Sequence, residues 1–272
     1  MRIGVSLTPN AEDHEKLVEL AVAADGAGLD LIGIQDHPYQ RRFLDTWMLI
    51  ADLLARTKRV SIFPDVANLP LRPPAMMAKA AMSLDAMSGG RFELGLGAGA
   101  AWDRVATMGG PRRSPGEGVD ALREAMYIVR LSWSGEESVS YEGRYYSVDG
   151  FEPGPPPAHP IGIWVGAYKP RMLRLVGELA DGWIPSVFYQ GTTPESLGES
   201  GRAIDRAAEA AGRDPADIVR LWNIGGDHPA ESLAGWARDE NVDGFVFWLD
   251  ASDRGAALER VEQLGGLRAE LG

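Results

Sequence analysis

Two side chains with complementary acid–base chemistry, Asp36 and His37, stand next to each other where the apolar run Leu31 to Gln35 ends. A carboxyl group beside an imidazole, which titrates near neutral pH, is a combination that moves protons. Pro38 disfavours helical geometry at His37 and removes a backbone donor, so the pair is presented on a stiff loop. The same residues would also serve as a strand terminator with a polar cap, and the dipeptide alone does not separate the two uses.

Three further segments carry chemistry. Asp65-Val66-Ala67-Asn68 leads through Leu69-Pro70-Leu71 to Arg72 and Pro73-Pro74, bringing an acid, an amide and a cation together before a helix starts. Gly95-Leu96-Gly97-Ala98-Gly99-Ala100 has no side chain at alternate positions. On a strand these share a face, so either space opens there for a flat ring or a phosphate, or a neighbouring element packs tightly against it. It is not the dinucleotide fingerprint, because the third glycine spacing is missing. Gly166-Ala167-Tyr168-Lys169-Pro170-Arg171 places small residues and two cations at a helix N-terminus, which suits a cofactor phosphate. The alternative is a basic loop tip in solvent, and Lys169 and Arg171 are the residues to test.

Composition removes several classes. The chain has no cysteine, so thiolate nucleophiles, disulfides and thiolate metal sites are excluded. Its four histidines, at 14, 37, 159 and 228, lack ligand spacing, and no metal is expected. A net charge of -12 without a dense basic cluster argues against nucleic acid. No Gly-x-Ser-x-Gly elbow points to a hydrolase. Met1 to Leu7 reads as a strand and no run reaches membrane-spanning length, so a cytoplasmic protein without membrane contact is expected.

The elements that position these loops alternate regularly. Strand-like segments at 2–7, 31–35, 60–66, 91–96, 161–165, 182–186, 218–224 and 244–249 are each followed by a helical pattern, making eight β/α units in one domain spanning 1–272. Nearly continuous apolar strands between helices imply a parallel sheet covered by helices. Eight units match a closed TIM (β/α)8 barrel better than an open doubly wound sheet. Residues 134–160 interrupt the rhythm between strands four and five. Ser138 to Tyr141 and Arg144 to Val148 around Glu142-Gly143 read there as an inserted hairpin, followed by a stiff proline-rich return. Helices 44–56 and 74–87 are apolar around most of their circumference, whereas an outer barrel helix needs one stripe. Either they form a homodimer face or the hairpin folds over them. Asp181-Gly182-Trp183 opens a strand at the opposite end and reads as structural, and Trp164, Trp222 and Trp248 are core residues or cavity walls. Loops 40–43, 101–115 and 188–193 would define a small-molecule substrate.

Together and in this order, Gln35-Asp36-His37-Pro38, Asn68 to Pro74, Leu84-Asp85-Ala86-Met87-Ser88-Gly89-Gly90-Arg91 with its glycine-rich strand, Trp164 to Arg171, and Glu178 to Trp183 resemble the bacterial luciferase-like monooxygenase superfamily, over about residues 1 to 250. The resemblance implies a flavin-type cofactor across the barrel mouth. It maps the cofactor-binding residues to Asp65, Val66, Asn68, Gly97, Ala98, Gly99, Gly166, Ala167, Tyr168 and Lys169, with a cis peptide at Asp65-Val66. The catalytic pair would be His37 and Asp36, with Asp36 orienting the imidazole or holding its charge. The Asp-His pair resembles the deazaflavin branch, which favours coenzyme F420 over FMN and hydride transfer over oxygen chemistry. An FMN monooxygenase using reduced flavin and oxygen, and a barrel that binds cofactor without turnover, are the alternatives. One departure is plain: relatives in that branch carry Glu just after the glycine-rich strand, where this chain has Ala100. A two-group proton relay of their kind then lacks its second member, for which Asp103 is a substitute to examine.

Overall fold

The computed structural model describes residues 1–187 and 191–272. In chain order the elements are β1 (Arg2–Leu7), α1 (His14–Gly26), β2 (Leu31–Ile34), α2 (Thr46–Arg56), β3 (Ser61–Pro64), β4 (Ala67–Asn68), α3 (Pro74–Ser88), β5 (Leu94–Gly97), α4 (Trp102–Thr107) and α5 (Pro115–Trp133). Then come β6 (Val139–Glu142), β7 (Ser147–Phe151), β8 (Ile163–Val165), α6 (Pro170–Leu179), β9 (Gly182–Trp183), α7 (Pro194–Ala210), β10 (Val219–Ile224), α8 (Ala230–Asp239), β11 (Gly244–Trp248) and α9 (Arg254–Glu270).

The main sheet runs β3-β2-β1-β11-β10-β9-β8-β5-β4, and every pairing in it is parallel. Its two ends, β3 and β4, are halves of one strand interrupted at Asp65-Val66, so the sheet closes on itself as a TIM barrel. A parallel bridge between Ile62 and Phe92 adds to the closure. Strand three is interrupted at the cis peptide Asp65-Val66, where the family resemblance placed it.

Side chains of alternating direction build two apolar layers. Leu31, Phe63, Trp164, Ile184, Leu221 and Val246 fill the barrel interior, with Phe63 and Trp164 edge to face at 5.2 Å. The larger layer lies between strands and helices and includes Val5, Ile32, Leu53, Leu96 and Val176.

At the N-terminal end of the barrel the Ser-Gly-Gly-Arg turn is structural. Gly89 and Gly90 take positive φ of 70° and 87°. That turn aims Arg91 at the carbonyls of Leu54, Val60 and Ser88 and at the Thr57 hydroxyl. Asp181 accepts from the Ile163 N–H at 2.9 Å and from Arg130 at 2.8 Å, as its place at this end led one to expect.

Two segments differ from the sequence reading. The hairpin between β5 and β8 is present, but its second strand starts at Ser147 rather than Arg144. Glu124 on α5 accepts the N–H groups of Arg144, Tyr145 and Tyr146 at 2.8–3.0 Å, holding these residues in the turn. Within 101–115, read as a bare loop, the short helix α4 forms after Ala101, whose φ is 50°. No helix among the described residues is long and apolar enough to cross a membrane, and no acidic or histidine cluster among them is arranged to hold a metal ion.

Candidate functional site

A cavity of about 960 Å³ opens at the C-terminal ends of the barrel strands. Every residue singled out from the sequence as catalytic or cofactor-binding lines it, and Lys169 shares it with His37. Parallel strands in a closed barrel deliver their C-terminal loops to one rim, so segments far apart in sequence converge.

The floor is polar. Asp65, at the break between β3 and β4, accepts from the Ser6 hydroxyl and the Asn223 side-chain amide, each at 3.0 Å. Burial nevertheless pushes its carboxyl above the usual range, with Asn223 and then Ser6 pulling it back. Ser6 and Asn223 were not singled out from the sequence. Their signal was a polar side chain near the C-terminal end of an otherwise apolar barrel strand.

Behind the cavity lie the glycines. A Cβ on Gly95 would sit 2.0 Å from the Pro64 carbonyl oxygen, and one on Gly97 2.8 Å from Val66 Cγ2. Missing side chains at these positions therefore admit the interrupted third strand, and it is Val66 that occupies the space above Gly97 and faces the cavity. On the other side, Gly166 would place a Cβ 3.4 Å from the same methyl group.

At one end, α5 and α6 both point their N-termini inward, each starting with proline. The N–H groups of Arg171 and Met172 have no intrahelical acceptor, and both residues line the cavity. Arg171 is held by Asp120 at 2.7 Å. Lys169 has no anionic partner among the described residues, which leaves it as the cation available to a ligand.

At the other end, Asp36 is 1% exposed. Its Oδ2 accepts from the Asn68 N–H at 2.9 Å. Burial raises its carboxyl above the ordinary range, against Asn68 and Arg72. His37, the next residue, lines the same cavity. The orienting contact expected from Asp36 is not made; the imidazole Nδ1 lies 2.9 Å from the Tyr39 hydroxyl instead. Partial burial lowers the imidazole below its usual value, opposed through space by Asp36. Asp103 is no substitute for the missing Glu: on α4 it pairs with Arg112 at 3.2 Å in solvent, outside the cavity.

Trp248 forms part of the cavity wall and Trp102 joins it from α4. Trp164 belongs to the interior layer. Trp222 packs on Phe245 and Trp236 outside the cavity. Of the expected substrate loops, Phe188 to Gln190 lie outside the described residues.

Three buried oxygens on cavity residues, Asp36 Oδ1, Asn68 Oδ1 and Asn223 Oδ1, have no hydrogen-bond partner among the described residues. Buried acceptors of this kind call for donors from a bound molecule or water.

The sequence profile described as luciferase-like monooxygenase matches residues 1–224. An F420-dependent glucose-6-phosphate dehydrogenase of Gordonia bronchialis is 32% identical over 300 residues, covering 96% of this chain and 87% of that protein. A 5,10-methylenetetrahydromethanopterin reductase of Archaeoglobus fulgidus is 30% identical over 242 residues, covering 88% and 68%. A solved F420-dependent secondary alcohol dehydrogenase, in complex with an F420-acetone adduct, shares the fold with a TM-score of 0.86, covering 100% of this chain and 99% of that one at 17% identity.

Proposed function

This chain belongs to the luciferase-like monooxygenase family, and on that premise we propose that it is a single-domain oxidoreductase that uses coenzyme F420 to transfer hydride to or from a small organic substrate. The observation that carries the reading is the cavity itself. It joins a cation and two helix N-termini at one end to an acid–base pair at the other, with three buried oxygens between that have no partner among the described residues, nor has the cation an anionic one.

The residues present fit such a group. Lys169 and the N–H groups of Arg171 and Met172 suit an anionic tail. Val66, backed by Gly97 and Gly166, offers an apolar surface to one face of a planar ring. Asn68 and Asn223 present acceptor oxygens to ring N–H groups. When bound, a deazaflavin supplies a ring carbon that gives or accepts hydride. His37, whose imidazole is shifted toward its neutral form by desolvation in the cavity, takes the proton from a substrate hydroxyl or returns it to a carbonyl.

The substrate in this reading is an uncharged alcohol or carbonyl compound, not a sugar phosphate. Lys169 and Arg171, the lysine and arginine of the cavity lining, both lie at the α6 end. Among the described residues, the rest of the lining, with Gln35, Tyr39, Ala100, Ala101, Trp102 and Trp248, carries no cation, and Arg104 on α4 acts on Tyr39 only from outside it.

We also assign a homodimer through α2 and α3. Met48, Met76 and Met87 are 68%, 64% and 75% exposed there. The proline-rich return touches α3 at Lys79, which donates to the Pro153 carbonyl at 2.6 Å, but leaves these methionines uncovered. Sedimentation of the wild type and of Met76→Glu tests it, a monomeric wild type being the contrary result.

The central experiment is equilibrium binding of coenzyme F420 and, separately, FMN, followed by anaerobic turnover with propan-2-ol and with glucose 6-phosphate. Tighter F420 binding and oxygen-independent reduction by the alcohol alone are expected. Preferred FMN with oxygen consumption would make it a monooxygenase, and binding without turnover would make it a binding protein.

A further inference from the structure

Among the described residues, His37 has no carboxylate hydrogen-bond partner. Asp36 is turned toward Asn68, Ala100 offers nothing, and Asp103 is occupied outside the cavity. What the imidazole does have is Tyr39, with Nδ1 and the phenol oxygen 2.9 Å apart. The two rings are 5.6 Å apart and tilted by 40°, and both residues line the cavity. Pro38 between them restricts the backbone that sets this spacing.

We propose that Tyr39 is the second member of the proton relay, passing onward the proton that His37 exchanges with the substrate oxygen. The proposal rests on the hydride-transfer reading above.

The chemistry follows from what a phenol does that a carboxylate does not. A carboxylate only accepts, so it locks the imidazole with its proton on Nδ1 and favours the imidazolium. A phenol both donates and accepts, so it stabilises either neutral tautomer. In the oxidative direction the substrate C–H bond breaks, and its electron pair leaves as hydride to the oxidised deazaflavin. The substrate O–H proton passes to His37 Nε2, the Nδ1 proton passes to the Tyr39 oxygen, and the phenol's own proton leaves to water at the cavity mouth. The alcohol loses two electrons, the deazaflavin gains them, and one proton is released. Imidazole and phenol end neutral with their tautomers exchanged, and reduction of a carbonyl runs the same path backwards.

The surroundings favour this neutral path. Burial disfavours the imidazolium and the phenolate alike, lowering His37 and raising Tyr39. Asp36 acts through space on both rings, favouring imidazolium and opposing phenolate, while Arg104 on α4 partly offsets it at Tyr39. Asp65 faces the cavity from the floor, and Lys169 and Arg171 from the far end.

The test pairs a spectroscopic readout with kinetics. In cofactor-free protein, the His37 Nδ1 resonance in ring-nitrogen NMR spectra should shift and the tautomer balance change on Tyr39→Phe. In turnover of propan-2-ol with oxidised coenzyme F420, kcat should fall on the order of 10- to 100-fold. KM for alcohol and cofactor should stay within about two-fold. The residual rate should rise with buffer concentration as small acids and bases stand in for the phenol. An unshifted Nδ1 with unchanged kcat and pH profile overturns the relay and leaves hydride transfer standing. If the deazaflavin neither binds nor turns over, the functional reading fails, and the ring spectra still judge the pair: an unshifted Nδ1 overturns it. Should Tyr39→Phe misfold, 3-fluorotyrosine at position 39 keeps the shape and makes the phenol more acidic. The alkaline limb of the kcat profile then moves to lower pH, and an unmoved limb overturns the proposal.

Discussion

Asn223, near the end of β10, donates its side-chain amide to Asp65, at the break between β3 and β4, across 3.0 Å. The bond ties opposite parts of the barrel under the cavity floor, between residues 158 apart in sequence. Asp65 is pushed above the usual carboxylate range, so the folded protein keeps a proton that the unfolded chain has already released. Stability is therefore lost as pH rises from the ordinary carboxylate value to the raised one. Asn223 counters that rise. Asn223→Ala should cost about 1–3 kcal/mol for the lost bond, with a deficit that grows as pH climbs past the wild type's raised value toward the variant's still higher one, read from urea unfolding at a series of pH values. A deficit that shrinks with rising pH contradicts the assignment.

Asp36 gives a prediction of the opposite sense. Its carboxyl is also raised by burial, and only one of its oxygens is hydrogen-bonded among the described residues. Asp36→Asn retains an oxygen for the Asn68 N–H and removes the buried charge. Relative to wild type, the variant should gain stability as pH rises above the ordinary carboxylate range, because only the wild type must then ionise the buried group. Thermal unfolding at pH 5 and pH 8 measures the gap, which should be wider at the higher pH.

Gly97 and Val66 are coupled by contact. A Cβ at Gly97 would lie 2.8 Å from Val66 Cγ2 and force the valine toward the cavity. Gly97→Ala should destabilise by about 1–3 kcal/mol, the usual cost of overpacking, and weaken cofactor binding. Val66→Ala in the same chain should recover a good part of the stability. Additive losses in the double variant, measured by chemical denaturation, would show that the two sites do not touch.

Lys169 has no anionic partner among the described residues, whereas Arg171 is committed to Asp120. Lys169→Ala should weaken F420 binding on the order of ten-fold, most at low ionic strength where charge attraction is least screened. Saturating cofactor should restore kcat. Equal affinity in titrations at low salt would remove Lys169 from the site.

Glu124 holds the hairpin turn through three backbone N–H groups. Glu124→Ala should speed amide exchange at Arg144, Tyr145 and Tyr146, with little change in the barrel strands. Uniformly faster exchange through β1 and β11 would mean that the hairpin supports the whole fold.

How much of this was legible beforehand depended on whether the information was local. Alternation of apolar strands and helices is written in short windows of residues, because period and turn chemistry act over a few positions. That was enough for the parallel barrel, and the barrel's chain direction was enough to collect Asp36, His37, Asn68, Gly97 and Lys169 at one rim. Asp181 was legible in the same way, as the opening of a strand at the opposite end. What depended on partners distant in sequence was not legible. The partner of His37 is Tyr39 and not Asp36, because the buried Asn68 N–H draws Asp36 away. Three backbone donors that would otherwise extend β7 are captured by Glu124 from α5. The room left by Gly95 and Gly97 is taken by the interrupted third strand. Residue types and their order alone determined which fold this chain adopts and which loops reach the cavity, though not that Ser6 and Asn223 join them there. Only tertiary structure decided which groups pair within it, because a hydrogen bond needs angstrom-scale placement of two groups, and for long-range pairs that placement exists only once the barrel has closed.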